Sequence, residues 1–145
     1  FDKGYKIPVH VLSQKVANLN QIYTQHAYMR LHACCGIFIG MDEELKAPQI
    51  YRFDPAGWFV GCKACAIGSK EQEGTNLLEK VVRNKKLETE AEVLEAAIGC
   101  LQSVLSVDFK PNEVEVGLVT LADPKFRLLN ESEIEEYLNR IAERD

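Results

Sequence analysis

The segment Gly57 to Lys80, GWFVGCKACAIGSKEQEGTNLLEK, decides how the chain reads. Its first part is a strand-like run of apolar and small residues. It breaks at Gly68 and continues as a helix with Ser69 as N-cap, and Gln72 stands three residues later to complete a capping box. A strand therefore feeds directly into a helix, and every chemical motif the chain offers lies in or near that junction.

Two patterns there invite a chemical reading. Gly61 to Gly68 followed by Ser69-Lys70 has the outline of a phosphate-binding loop, but that motif needs Gly, four residues, then Gly-Lys-Ser/Thr. Here the residue five before Gly68 is Lys63, and the order of Lys and Ser is reversed. A tight turn with a capped helix is the better reading. The second pattern, Cys62-Lys63-Ala64-Cys65, lacks the second matched pair that makes such spacing specific for zinc. A redox pair should open a helix, where the dipole lowers the thiol pKa, whereas both sulfurs lie in the strand-like run. Residues three apart on a strand point to opposite faces, so the expectation is buried, inert cysteines.

The 145 residues are 46% hydrophobic and 27% charged, ordinary values for one domain or part of one. A net charge of -5 and a pI near 5.3 argue against a nucleic-acid binder, which needs a concentrated basic surface. The local cluster Lys80, Arg83, Lys85 and Lys86 reads as the solvated C-terminal end of a helix. The longest apolar run, Ala33 to Met41, is nine residues and too short to span a bilayer. No secretory leader is recognised, and five cysteines, with Cys34-Cys35 adjacent, read as reduced thiols of a cytosolic or nuclear protein. The chain opens on Phe1 rather than Met, which reads as a processed product or a piece of something longer.

Upstream, Val9, Leu12, Val16, Leu19 and Tyr23 fall at helical spacing, predicting an amphipathic helix from Pro8 to about Met29 with His10 and His26 as surface residues near its ends. Cys34 to Gly40 reads as a buried strand followed by the acidic loop Asp42-Glu43-Glu44. Gln49 to Phe53 is a second strand. Asp54-Pro55-Ala56-Gly57 is a type I turn that leads into a third, Trp58 to Ala66. These three make a meander. Downstream, the helix from Ser69 to about Asn84 should bury Leu77, Leu78, Val81 and Val82. A capping box of Thr89 and Glu92 opens the next helix. Its wide stripe of Val93, Leu94, Ala97, Ile98, Leu101, Val104 and Leu105 predicts cover over much of its girth. Strands are expected over Glu113 to Leu121 and Phe126 to Leu129, with a turn at Asp123-Pro124. A last helix, capped by Asn130 and Glu133, carries Ile134, Leu138 and Ile141. The order of helix, three strands, two helices, two strands and helix predicts an antiparallel α+β architecture.

Tyr23-Thr24-Gln25 with Met29-Arg30, Asp54-Pro55-Ala56-Gly57, Gly61-x-Lys63-Ala64-x-Ala66-x-Gly68, Leu78-Glu79-Lys80, Asp108-Phe109-Lys110-Pro111 and Glu115-Val116-Gly117 together resemble the alpha-type subunits of the 20S proteasome core. Pro124-Lys125-Phe126-Arg127 and Ala142-Glu143-Arg144-Asp145 resemble the ending of the type-6 (iota) alpha subunits in particular. The similarity covers essentially the whole chain. It implies a four-layer αββα sandwich of the N-terminal nucleophile hydrolase type, with residues 1–145 as the C-terminal part of one such domain, lacking the N-terminal strands and helices. Sheets left with unpaired edges would make the isolated piece marginally stable or self-associating. The chain departs from the family where Arg-Pro, a short residue and Gly are usual, having Arg30-Leu31-His32-Ala33. It also departs at Gly74, where a better helix former is usual.

The resemblance implies a non-catalytic structural subunit of the outer alpha ring, in cytoplasm and nucleus, acting in ubiquitin-dependent protein degradation. It would pack on neighbouring alpha subunits and the beta ring, help to form the channel by which unfolded polypeptide enters, and receive regulatory particles. No catalytic, cofactor-binding or metal-binding residue, no cofactor, no nucleic acid and no membrane is implied. Beta-type subunits of the family hydrolyse peptides with an N-terminal threonine. Here Thr24 and Thr75 are expected in helices, Thr89 at a cap and Thr120 in a strand, so that none is available as a terminus. The alternative from another class is a thiol or zinc protein built on Cys62 and Cys65 and on Cys34 and Cys35, with His32.

Overall fold

The structure is a computed structural model that describes residues 4, 6–42, 44–84 and 86–143. Phe1, Glu43, Lys85, Arg144 and Asp145 of the expectations above lie outside these residues. The elements follow the predicted order: α1 (Val9–Gln25), β1 (Gly36–Asp42), β2 (Ala47–Phe53), β3 (Phe59–Cys62), α2 (Glu71–Asn84), α3 (Glu90–Leu105), β4 (Gly117–Leu118), β5 (Arg127–Leu128) and α4 (Glu131–Ala142). They form two compact units, one of residues 1–63 and 119–124, the other of residues 64–118 and 125–145. Both sheets are antiparallel, so the α+β class holds. Among the described residues no helix is long and apolar enough to cross a membrane.

In the first unit β1, β2 and β3 form the expected meander, with Gly36 opposite Phe53 and Phe53 opposite Phe59. Alternation along the strands sends Phe38, Tyr51 and Phe53 to one face, where Phe38 and Phe53 stack with centroids 4.7 Å apart. Helix α1 lies over this sheet. The predicted stripe is only half right. Val9, Leu12, Val16 and Tyr23 are half-buried and Leu19 is 56% exposed, while the buried positions are Ser13, Ala17 and Asn20. Small residues win there because the hairpin turn comes so close that bulk would be expelled. The Ser13 hydroxyl is satisfied by donating to the Val9 carbonyl at 2.8 Å.

Strand β1 begins at Gly36, two residues after the predicted start. Cys34 and Cys35 are exposed, so the buried strand expected from Cys34 is corrected. The outward face of the sheet carries Ile39 of β1 and Val60 of β3, each 38% exposed, because α1 covers only the other side. Strand β3 stops at Cys62 rather than Ala66. The β1–β2 connection is pinned by the Asp42 carboxylate, whose Oδ1 accepts from the Glu44 and Leu45 N–H groups, each at 2.9 Å.

In the second unit the capping boxes of α3 (Thr89 with Glu92) and α4 (Asn130 with Glu133) are both formed as predicted. Helix α2 starts at Glu71, one residue later than a Ser69 cap would set, within the spread of helix-end definitions. The Gln72 side chain donates along the helix to Asn76 Oδ1 at 3.4 Å. Leu77, Leu78, Val81 and Val82 are half-buried, and the buried residue of α2 is Gly74. A Cβ at Gly74 would stand 2.9 Å from that of Ala66, which explains the missing side chain in mid-helix.

The core of this unit is Leu94, Leu129 and Ile134, joined by Val114, Val116, Leu118, Tyr137 and Leu138. The alternation of Val114, Val116 and Leu118 toward that core is the strand pattern read from the sequence. The ladder to β5 holds Gly117 and Leu118, and Leu129 N donates to the Val116 carbonyl at 2.9 Å beside it, so the strand is shorter than the expected Glu113 to Leu121. Two further corrections follow. Thr120, which belongs to the first unit, is in a turn, where its N–H donates to the Asp123 carbonyl at 3.1 Å and its hydroxyl accepts from Asp123 N at 3.0 Å. The α3 stripe is not covered over most of its girth: Leu94, Glu95, Ile98 and Cys100 are buried, whereas Val93, Ala97, Leu101 and Leu105 are exposed.

Candidate functional site

The turn between β2 and β3 is held by several hydrogen bonds. Asp54 Oδ1 accepts from Ala56 N at 2.9 Å and Trp58 N at 3.0 Å, the Asp54 N–H donates to the Trp58 carbonyl at 3.0 Å, and Gly57 N donates to the Asp54 carbonyl at 3.3 Å. Pro55 presets the first turn residue and Gly57 takes φ +93°, which L side chains rarely adopt. The Asp54 carbonyl also accepts from Asn20 Nδ2 of α1 at 2.9 Å. One oxygen of the Asp54 carboxylate thus accepts two backbone donors and holds the shape of the turn.

The deciding segment follows its reading only in order: β3 ends at Cys62, residues 63–70 are irregular, and α2 begins at Glu71, with Gly68 at φ +115° and its carbonyl accepting from Glu71 N at 3.3 Å. Its cysteines differ from expectation. Cys62 and Cys65 are half-buried rather than buried, and Cys65 lies beyond the end of β3, so the opposite-face argument does not apply to it. Cys62 Sγ points at the Ile50 and Val60 carbonyls, each at 3.9 Å. Among the described residues no three of the His, Cys, Asp and Glu side chains are grouped so as to hold a metal ion. His32 packs edge-on against Tyr23, with centroids 4.4 Å apart, and His26 lies 5.5 Å from Tyr28. Among the described residues the zinc candidates are therefore not grouped as a ligand set.

The threonines are all placed in local structure. Thr24 lies in α1 and donates to the Gln21 carbonyl at 2.5 Å, Thr75 lies in α2, Thr89 caps α3 and Thr120 forms the turn with Asp123. A cavity of about 520 Å³ opens among α2, α3 and α4, lined by Leu77, Val81, Leu87, Glu95, Cys100 and Ile141 among others. Glu95, buried at 7% exposure, reaches Arg140 of α4 at 4.0 Å, and Arg140 in turn lies over the Tyr137 ring. Sequence reasoning missed Glu95, since an acid within an apolar stripe reads as a solvated edge. It also missed Asn20, whose partner is 34 residues away.

The Glu133 carboxyl is held below its ordinary range, first by backbone hydrogen bonding at Asn130 and then by the Arg127 guanidinium, whose Nη1 donates to Glu133 Oε1 at 3.0 Å. It fixes the start of α4 and contributes no reactive group.

The family profile described as proteasome subunit matches residues 1–119. The chain belongs to the proteasome subunit family. Within it, this proteasome subunit is 41% identical over 145 residues to proteasome subunit alpha type-6 of Caenorhabditis elegans and 37% identical over 146 residues to the probable alpha type-1 subunit of Schizosaccharomyces pombe. Each match takes in 100% of the chain. An archaeal alpha subunit, from Pyrococcus horikoshii, is 31% identical over 138 residues, or 95% of the chain. The chain spans 58% and 59% of the length of the first two relatives.

Ala33, ahead of β1, takes φ +54°, a left-handed conformation that its side chain does not favour.

Proposed function

We propose that the chain is the C-terminal part of a non-catalytic alpha-ring subunit of the 20S proteasome. Its residues 1–145 would complete one four-layer αββα domain with the remaining polypeptide. The observation that carries this is the match to alpha subunits along the whole chain, at 41% identity for the type-6 subunit of C. elegans. The work of the subunit is shape. Rigid elements such as the Asp54 turn, locked to α1 through Asn20, present fixed surfaces to neighbouring alpha subunits and to the beta ring. As part of the ring it borders the channel by which unfolded polypeptide enters and offers a docking face to regulatory particles. On this reading it serves ubiquitin-dependent degradation in cytoplasm and nucleus.

The placement of the four threonines in helices, a cap and a turn supports a role without a nucleophile. The test is to treat the assembled particle with a covalent threonine-directed inhibitor and identify the labelled chains by mass spectrometry. Label on other subunits and none on this one is expected. Stoichiometric label on this chain would overturn the assignment.

A further inference from the structure

We draw no further inference here: the strongest candidate, the cavity of about 520 Å³ among α2, α3 and α4, carries nothing, because its buried carboxylate, Glu95, already reaches Arg140 of α4 and nothing in the structure shows what occupies the space beside it.

Discussion

Asn20 of α1 donates its side-chain amide to the backbone carbonyl of Asp54, 34 residues further along, at 2.9 Å. Asn20 is buried at 3% exposure, so this one bond fixes the helix against the β2–β3 turn and satisfies a polar group that would otherwise be costly inside the unit. Asn20→Ala removes the donor and leaves a gap beside the carbonyl. The expected loss is about 1–3 kcal/mol of unfolding free energy, measured by urea denaturation. A loss below about 0.3 kcal/mol would show that the bond does not hold the junction.

Gly57 at the same turn has two reasons to be glycine. Its φ is +93°, and a Cβ would stand 2.6 Å from that of Gln21 and 2.8 Å from the Ala17 carbonyl oxygen. Gly57→Ala should cost at least about 2 kcal/mol, since backbone strain and overlap with helix backbone act together. A variant that melts within a degree of the parent would contradict this account of the α1 docking.

At Ala33 the conformation argues for a gain. A left-handed alanine is strained by about 1–2 kcal/mol, part of which glycine returns to the more flexible unfolded chain. Ala33→Gly is therefore expected to stabilise by roughly 0.5–1 kcal/mol, read as a higher thermal midpoint. Ser106, the left-handed C-cap of α3 at φ 54°, should respond in the same direction to Ser106→Gly. Destabilisation by both would rule out strain at these two positions.

The pH dependence of α4 follows from Glu133. Its folded pKa is depressed by the bonding at Asn130 and by Arg127. The associated stability is then complete above the ordinary glutamate pKa and is lost as pH falls through the lower folded value. Glu133→Gln keeps the reach back to the cap but not the charge. The parent should melt above this variant at neutral pH, and the difference should close on acidification below the ordinary glutamate range. A difference that stays constant from pH 7 to pH 3 would remove the charge from the explanation.

Local signals in the sequence carried most of the element order. Capping boxes at Thr89 and Asn130 and the Asp54-Pro55-Ala56-Gly57 turn depend on residues within a few positions of one another, and all three formed. Burial was less legible, because it depends on which element arrives from elsewhere. The α1 face turned toward Ser13, Ala17 and Asn20 since a glycine-containing turn lies against it. The α3 stripe kept only Leu94 and Ile98 of its apolar residues inside. Strands were overextended for the same reason: Trp58 to Ala66 has strand chemistry throughout, but pairing to β2 runs only from Phe59 to Cys62. Of the candidate sites, the Cys62 and Cys65 spacing looked chemical in one dimension and does not assemble a ligand set in three.

The central claim, that the chain is a shaped wall of a proteasome ring, is tested most directly by its company in the cell. The full-length protein carrying this sequence would be tagged, purified from its own cells without crosslinking, and its partners quantified by mass spectrometry with particle mass measured in parallel. The account predicts other proteasome alpha and beta subunits in near-equal amounts within a particle of seven-membered rings. Recovery of the protein alone, or with unrelated partners and no proteasome subunits, would contradict it.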